Sequence, residues 1–147
     1  MNKSSTLNTS IGQKRKLFDP ELMDDKRIVL INRIKTVIVE MIAHSDKKPL
    51  INYSGYISEK IGLDYNHLSN IFSRINGITI QQFIICHKIE KAKELILNDE
   101  LSITEISKKL HYSSVAHLSN QFKKVTGLSP LFFKQLKQKR LGNLEDQ

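Results

Sequence analysis

The chain has 147 residues, 39% of them hydrophobic and 26% charged, with 23 basic against 15 acidic side chains and a formal net charge of +8. That length holds one compact unit or two small lobes sharing an element, and the basic balance suits a polyanionic partner. A single cysteine, Cys86, excludes an internal disulfide and a cysteine-rich metal site, while no aliphatic run approaches a membrane span and no signal-peptide pattern opens the chain. A soluble, cytoplasmic protein is expected.

Residues 1–18 carry Lys3, Lys14, Arg15 and Lys16 without an acid and with few apolar side chains, so they read as a disordered basic arm. Asp19 and Pro20 are an N-cap and first-turn pair. They open a long helix that fills 19–46 and runs to about Ser45. Leu30, Ile31, Ile34, Val37, Ile38, Met41 and Ile42 form its broad apolar face, with Ile28 and Val39 off that face as a candidate self-association surface. A loop over 46–49 follows, and Asn52 is placed to cap the next helix, near Tyr53 to Ile61.

From there the chain uses one pattern twice. Residues 67–83, HLSNIFSRINGITIQQF, and 117–133, HLSNQFKKVTGLSPLFF, share seven of seventeen residues at an offset of 50; chance alone gives about one. Upstream, ISEKI at 57–61 matches ISKKL at 106–110 at an offset of 49, so the second copy carries one extra residue between its halves. The chain contains an internal duplication.

Each copy reads as a short helix, a turn and a second helix. In the first lobe, about 47–78, Ile57 and Ile61 lie on the opening helix, Gly62 turns and Asp64 caps. Tyr65, Leu68, Phe72 and Ile75 then form a buried stripe, with Asn66, Ser69, Asn70 and Ser73 facing the other way. Thr79 and Gln82 make a capping box for a connecting helix over 79–98. It has two apolar stripes, Ile80, Phe83 and Ile84, then Ile85, Ile89, Ala92 and Ile96, as a helix serving two lobes requires. The second lobe spans about 99–140. Ser102 and Glu105 make its capping box, and Ile103, Ile106 and Leu110 share one face. The helix stops at His111, and Ser113 or Ser114 caps the next. There Val115, Leu118, Phe122 and Val125 form the stripe, opposite Ala116, Ser119, Asn120 and Lys123. Gly127 ends it, Ser129 and Pro130 start a last helix to about Arg140, and 141–147 reads as a tail.

The fold class is therefore all-α, about seven helices in two helix-turn-helix lobes of homeodomain-like kind. A second helix with a small, polar outer face is the form that enters a DNA major groove. Asn70 and Asn120 are the foremost base readers, since asparagine can bond adenine N6 and N7 together. His67 and His117 flank that face, suited equally to phosphate contact or to packing. Arg74, Lys123, Lys124, Lys134 and Lys137, with Ser114 at a helix start, suit phosphate contacts, which position without specifying. His44, His87 and His111 show no metal-ligand grouping, and no P-loop or nucleophile motif is present, so no metal, cofactor, small-molecule ligand or enzymatic activity is expected. The alternatives are a non-specific architectural DNA binder and the output domain of a larger sensor-regulator.

The segment from about Arg33 to Arg140 resembles the tandem helix-turn-helix domain of AraC/XylS-type transcriptional regulators. The resemblance is strongest over ITEISKKLHYSSVAHLSNQFKKVTGLSPLFFK, residues 103–134. It implies seven helices and two recognition helices in adjacent major grooves. It also implies base-reading sites at Asn66, Ser69 and Asn70 in the first lobe and at Ala116, His117, Ser119 and Asn120 in the second. Duplex DNA at the bacterial nucleoid and RNA polymerase are the partners it implies. The chain departs from the family at His111, where the turn glycine is expected, and at Asn120, where many relatives carry arginine. A separate effector or dimerisation domain is usual in the family; nothing before Asp19 reads as one, so a monomer is expected, with a dimer through the long first helix as the other arrangement.

Overall fold

The computed structural model describes residues 20–44 and 52–145, and among them the chain forms seven helices and no strand. The basic arm, the Asp19 cap, the loop at 46–49 and the last two residues lie outside the described residues. In chain order the helices are α1 (Pro20–Ala43), α2 (Tyr53–Ile61), α3 (Tyr65–Asn76), α4 (Ile80–Asn98), α5 (Ile103–Lys109), α6 (Val115–Thr126) and α7 (Pro130–Glu145).

Two hydrophobic cores form, not one. Ile31, Ile34, Ile38, Met41 and Ile42 of α1 close over Ile57, Ile61, Leu68 and Phe72, with Ile80 and Ile84 completing the first core. Ile89, Ala92 and Ile96 belong to the second, with Ile106, Leu110, Tyr112, Leu118, Phe122 and Phe133. Helix α4 thus gives its first half to one lobe and its second half to the other, as its two stripes required. Burying a side chain such as Leu118 or Ile89 completely contributes about 1.5–3 kcal/mol, so each lobe has its own source of stability.

The caps follow from the sequence. Asn52 accepts from the Gly55 amide at 3.0 Å, and Asp64 accepts from the Asn66 and His67 amides at 3.1 and 3.4 Å. Both capping boxes close in both directions, Thr79 with Gln82 and Ser102 with Glu105. Of the two serines open as the α6 cap, Ser114 takes the role, accepting from the His117 amide at 3.0 Å. Gly77 and Gly127 end the two recognition helices at φ 75 and 85, the left-handed region that glycine enters without steric cost.

The duplication is copied in packing as well as in sequence. Phe72 meets Phe83 edge to face at 5.5 Å and 70°, and fifty residues on Phe122 meets Phe133 at 5.4 Å and 69°. Asn76 donates to the Phe72 carbonyl, and Thr126 to the Phe122 carbonyl. Edge-to-face geometry sets the positive rim of one ring against the negative face of the other.

Three expectations need correction. Ile75 and Val125, placed on the buried stripes, are 42% and 43% exposed. Each lies one turn beyond the phenylalanine that fills its core, in the last turn of its helix. The last helix does not stop near Arg140 but runs to Glu145, so most of the expected tail is helical. Gly142 costs about 1 kcal/mol in a helix interior but does not break it as proline does. The first helix ends at Ala43, with His44 in a turn, slightly before the expected Ser45.

Candidate nucleic-acid interface

Helices α3 and α6 present matched outer faces. Asn66, His67 and Asn70 are exposed on α3, and Ala116, His117 and Asn120 on α6, while Ser69 and Ser119 are half-buried at the edges of those faces. Underneath, Leu68 and Phe72, or Leu118 and Phe122, are fully buried. Each recognition helix therefore stands on a rigid core with its polar edge in solvent. The expected base readers fall into two clusters, one per lobe. A side chain held by a packed helix loses less freedom on binding than one carried by a loop.

The cationic residues divide by environment. Arg74, Lys123 and Lys124 are exposed in the last turns of α3 and α6, the ends where the helix dipole also favours cations. Lys134 is engaged otherwise, its amine paired with the Asp99 carboxylate at the end of α4. Lys137 holds its amine 5.8 Å from the centre of the Phe133 ring. Ser114 is exposed but spends its hydroxyl on the α6 cap.

The turn before α6 is built differently from its counterpart before α3. Gly62 turns the first lobe at φ 84, and His111 turns the second at φ 60, the positive value expected where the family carries glycine. A non-glycine residue there is strained by about 1 kcal/mol or more. Tyr112 follows, 8% exposed, and burial pushes its hydroxyl up to about 12, so the phenol stays neutral and donates to the Gln121 side chain. The amine of Lys88, on the connecting helix, lies over the Tyr112 ring, 4.7 Å from its centre, and burial lowers its pKa. In the first lobe the tyrosine is Tyr65, the first residue of α3 itself. Burial, and beside it the Tyr53 phenol 6.2 Å away, push its hydroxyl to about 12.

Sequence reasoning passed over Lys88 and Tyr112, and it offered Ser113 only as an alternative cap. The signal was available for the last of them: Ser113 occupies the one-residue excess of the second copy. Among the described residues no group of three or more metal-ligating side chains forms, and no helix is long and apolar enough to cross a membrane.

Two cores, two matched polar helices and one shared helix define a tandem helix-turn-helix protein. The family profile described as a helix-turn-helix domain matches residues 57–135, more than half of the chain, and the chain belongs to the AraC/XylS-type family of helix-turn-helix transcriptional regulators. It is 28% identical over 105 residues to the Msm operon regulatory protein of Streptococcus mutans, covering 71% of this chain and 36% of that protein. It is 32% identical over 74 residues to the xylose operon regulatory protein of Escherichia coli, covering 50% of this chain and 19% of that one. The C-terminal domain of AraT, a response regulator from Geobacillus stearothermophilus, superposes with a TM-score of 0.63 at 26% identity, over 73% of this chain and 84% of that one. The chain thus spans little more than a third of the first of these curated relatives and less of the second.

Proposed function

We propose that the chain is a sequence-specific DNA-binding transcriptional regulator that places α3 and α6 in successive major grooves on one side of a duplex. The observation that carries this reading is the pair of matched polar faces, each backed by its own core and separated by a 19-residue helix. At about 1.5 Å per residue that helix is about 28 Å long, near the roughly 34 Å that separates one major-groove entry from the next. Asn66, Ser69 and Asn70 read bases in one groove, and Ala116, His117, Ser119 and Asn120 in the other. Arg74, Lys123 and Lys124 bind phosphates, with Ser114 and Lys137 contributing at the edges.

One chain carries both readers, so a monomer suffices, and its site is two related elements directly repeated about 10–10.5 base pairs apart. Relatives named as operon regulators support a regulatory output delivered to RNA polymerase at the bacterial nucleoid in the cytoplasm. A non-specific architectural role is disfavoured by the small, hydrogen-bonding character of both faces.

Selection from a random duplex pool, followed by hydroxyl-radical footprinting, tests the proposal. Protection over about two helical turns, roughly 20 base pairs, is expected. Asn70→Ala and Asn120→Ala should each cost about 1–3 kcal/mol and relax preference at one adenine. Palindromic selected sites, or equal weakening on specific and random DNA, would overturn it.

A further inference from the structure

The two recognition helices begin with the same four residues, His-Leu-Ser-Asn, yet their histidines stand in different surroundings. His117 is held on two sides. Its Nδ1 lies 3.2 Å from the Ser113 hydroxyl, and its ring meets Tyr112 edge to face at 5.1 Å and 87°. Tyr112 is itself fixed, by burial, by its bond to Gln121 and by the Lys88 amine over its ring. His67 is exposed, and its imidazole has no hydrogen-bond or ring partner among the described residues. The difference follows from the longer turn. The first lobe runs Gly62-Leu63-Asp64 into its helix, the second His111-Tyr112-Ser113-Ser114. Leu63, which precedes the first cap, is 43% exposed and makes no wall. With Ser114 committed to the cap, the extra serine is released to hold the imidazole.

We infer that Ser113 and Tyr112 fix His117 as a hydrogen-bond donor through Nε2–H, aimed at the N7 of one purine in the groove read by α6, so that the two copies read this step differently. The inference rests on the DNA-binding reading above. The tautomer of an imidazole is set by the bond its other nitrogen makes. Tyr112 has spent its hydroxyl on Gln121, leaving Ser113 as the partner of Nδ1. A serine hydroxyl can rotate to donate, and a donor at Nδ1 requires the proton on Nε2. The exposed edge of the ring then carries an N–H. Duplex DNA meets it with acceptors, N7 on every purine in the major groove and oxygens along the backbone. An Nε2 lone pair in the same place would face those acceptors unfavourably. Ser113 is a positioning residue here, and the contact itself belongs to His117.

The probe is the highest-affinity duplex that the full chain selects from a random pool, with each purine replaced in turn by its 7-deaza analogue. This change removes N7 and keeps base pairing. One replacement in the half read by α6 should weaken the wild-type chain about 2- to 12-fold, the range of one neutral hydrogen bond. It should not weaken His117→Ala further. Ser113→Ala should lose most of that discrimination while Ser113→Thr keeps it, and His67→Ala should couple to no 7-deaza position. Nitrogen-15 shifts of the free wild-type chain should show His117 protonated on Nε2 and hydrogen-bonded at Nδ1, with the bonded signature lost in Ser113→Ala. No purine coupled to His117, an Nδ1-protonated ring, or a signature unchanged by Ser113→Ala would each overturn the inference. Failure to select any duplex would instead sink the DNA-binding reading on which it stands.

Discussion

Lys134, one turn into the last helix, closes an ion pair on Asp99, the left-handed residue at φ 59 that ends the connecting helix. The pair joins α7 to the C-terminal end of α4 and occupies an amine that the sequence offered to a DNA phosphate. Its side chains are 30% and 58% exposed, so solvent screens the attraction. Lys134→Ala should cost less than about 1 kcal/mol in unfolding free energy and leave the salt dependence of DNA binding unchanged. A flatter salt dependence in titrations at several ionic strengths would return Lys134 to the phosphate-binding set.

Lys123 behaves in the opposite way. It is exposed in the last turn of α6 and has no acidic partner among the described residues. Lys123→Ala should weaken binding to all duplexes alike and reduce the slope of log affinity against log salt by about 0.9, one phosphate's worth of counterions. A loss confined to one base pair would show instead that it reads sequence.

The separate cores predict separate failure. Phe72 and Phe122 are both fully buried, one in each cluster. Phe122→Ala should cost about 3–5 kcal/mol and release amide protection in α5, α6 and α7 before α2 and α3. Phe72→Ala should reverse that order. Uniform loss of protection along the chain in hydrogen exchange would mean that α4 couples the lobes into one unit.

Acid should loosen the second lobe through its capping box. Glu105 accepts from the Ser102 amide at 2.9 Å, and that bond holds its carboxyl below the ordinary value of 4.5. A depressed folded pKa means stability that is complete above the unfolded value and is lost as pH falls through the folded one. Urea midpoints should therefore drop as pH goes below 4.5, and Glu105→Gln, which keeps an acceptor but not a titrating group, should flatten that part of the profile. An identical profile for the two proteins would dissociate the box from acid sensitivity.

Local rules carried the sequence reading far because most of this fold is locally encoded. Capping serines, threonines and acids start helices, glycines stop three of them, and the two stripes on α4 announced two cores. Ile75 and Val125 show where periodicity fails. Both keep helical spacing with Leu68 and Phe72, or Leu118 and Phe122, but burial needs an opposing surface, which spacing cannot supply. The ion pair of Lys134 was out of reach for a similar reason: its partner Asp99 lies 35 residues away and meets it only in the folded chain. The setting of His117 was half legible, since the extra residue of the second copy was countable while its grip on the ring was not.

Helix α4 also sets the phase of recognition. Each residue of an α-helix advances about 1.5 Å and turns about 100°. Substitutions on its exposed side leave the mutual orientation of the lobes alone. An insertion or deletion of one residue between the two stripes swings the second reader about a quarter of the way round the axis, out of the groove. Adding seven residues nearly restores the angle, but it slides the reader about 10.5 Å, roughly three base pairs along a duplex that has meanwhile turned by about a third. The pitch of the protein helix and the pitch of DNA share no short common multiple. The length of α4 is thereby frozen in a way that its composition is not, and operators for this chain can drift in sequence while their spacing cannot.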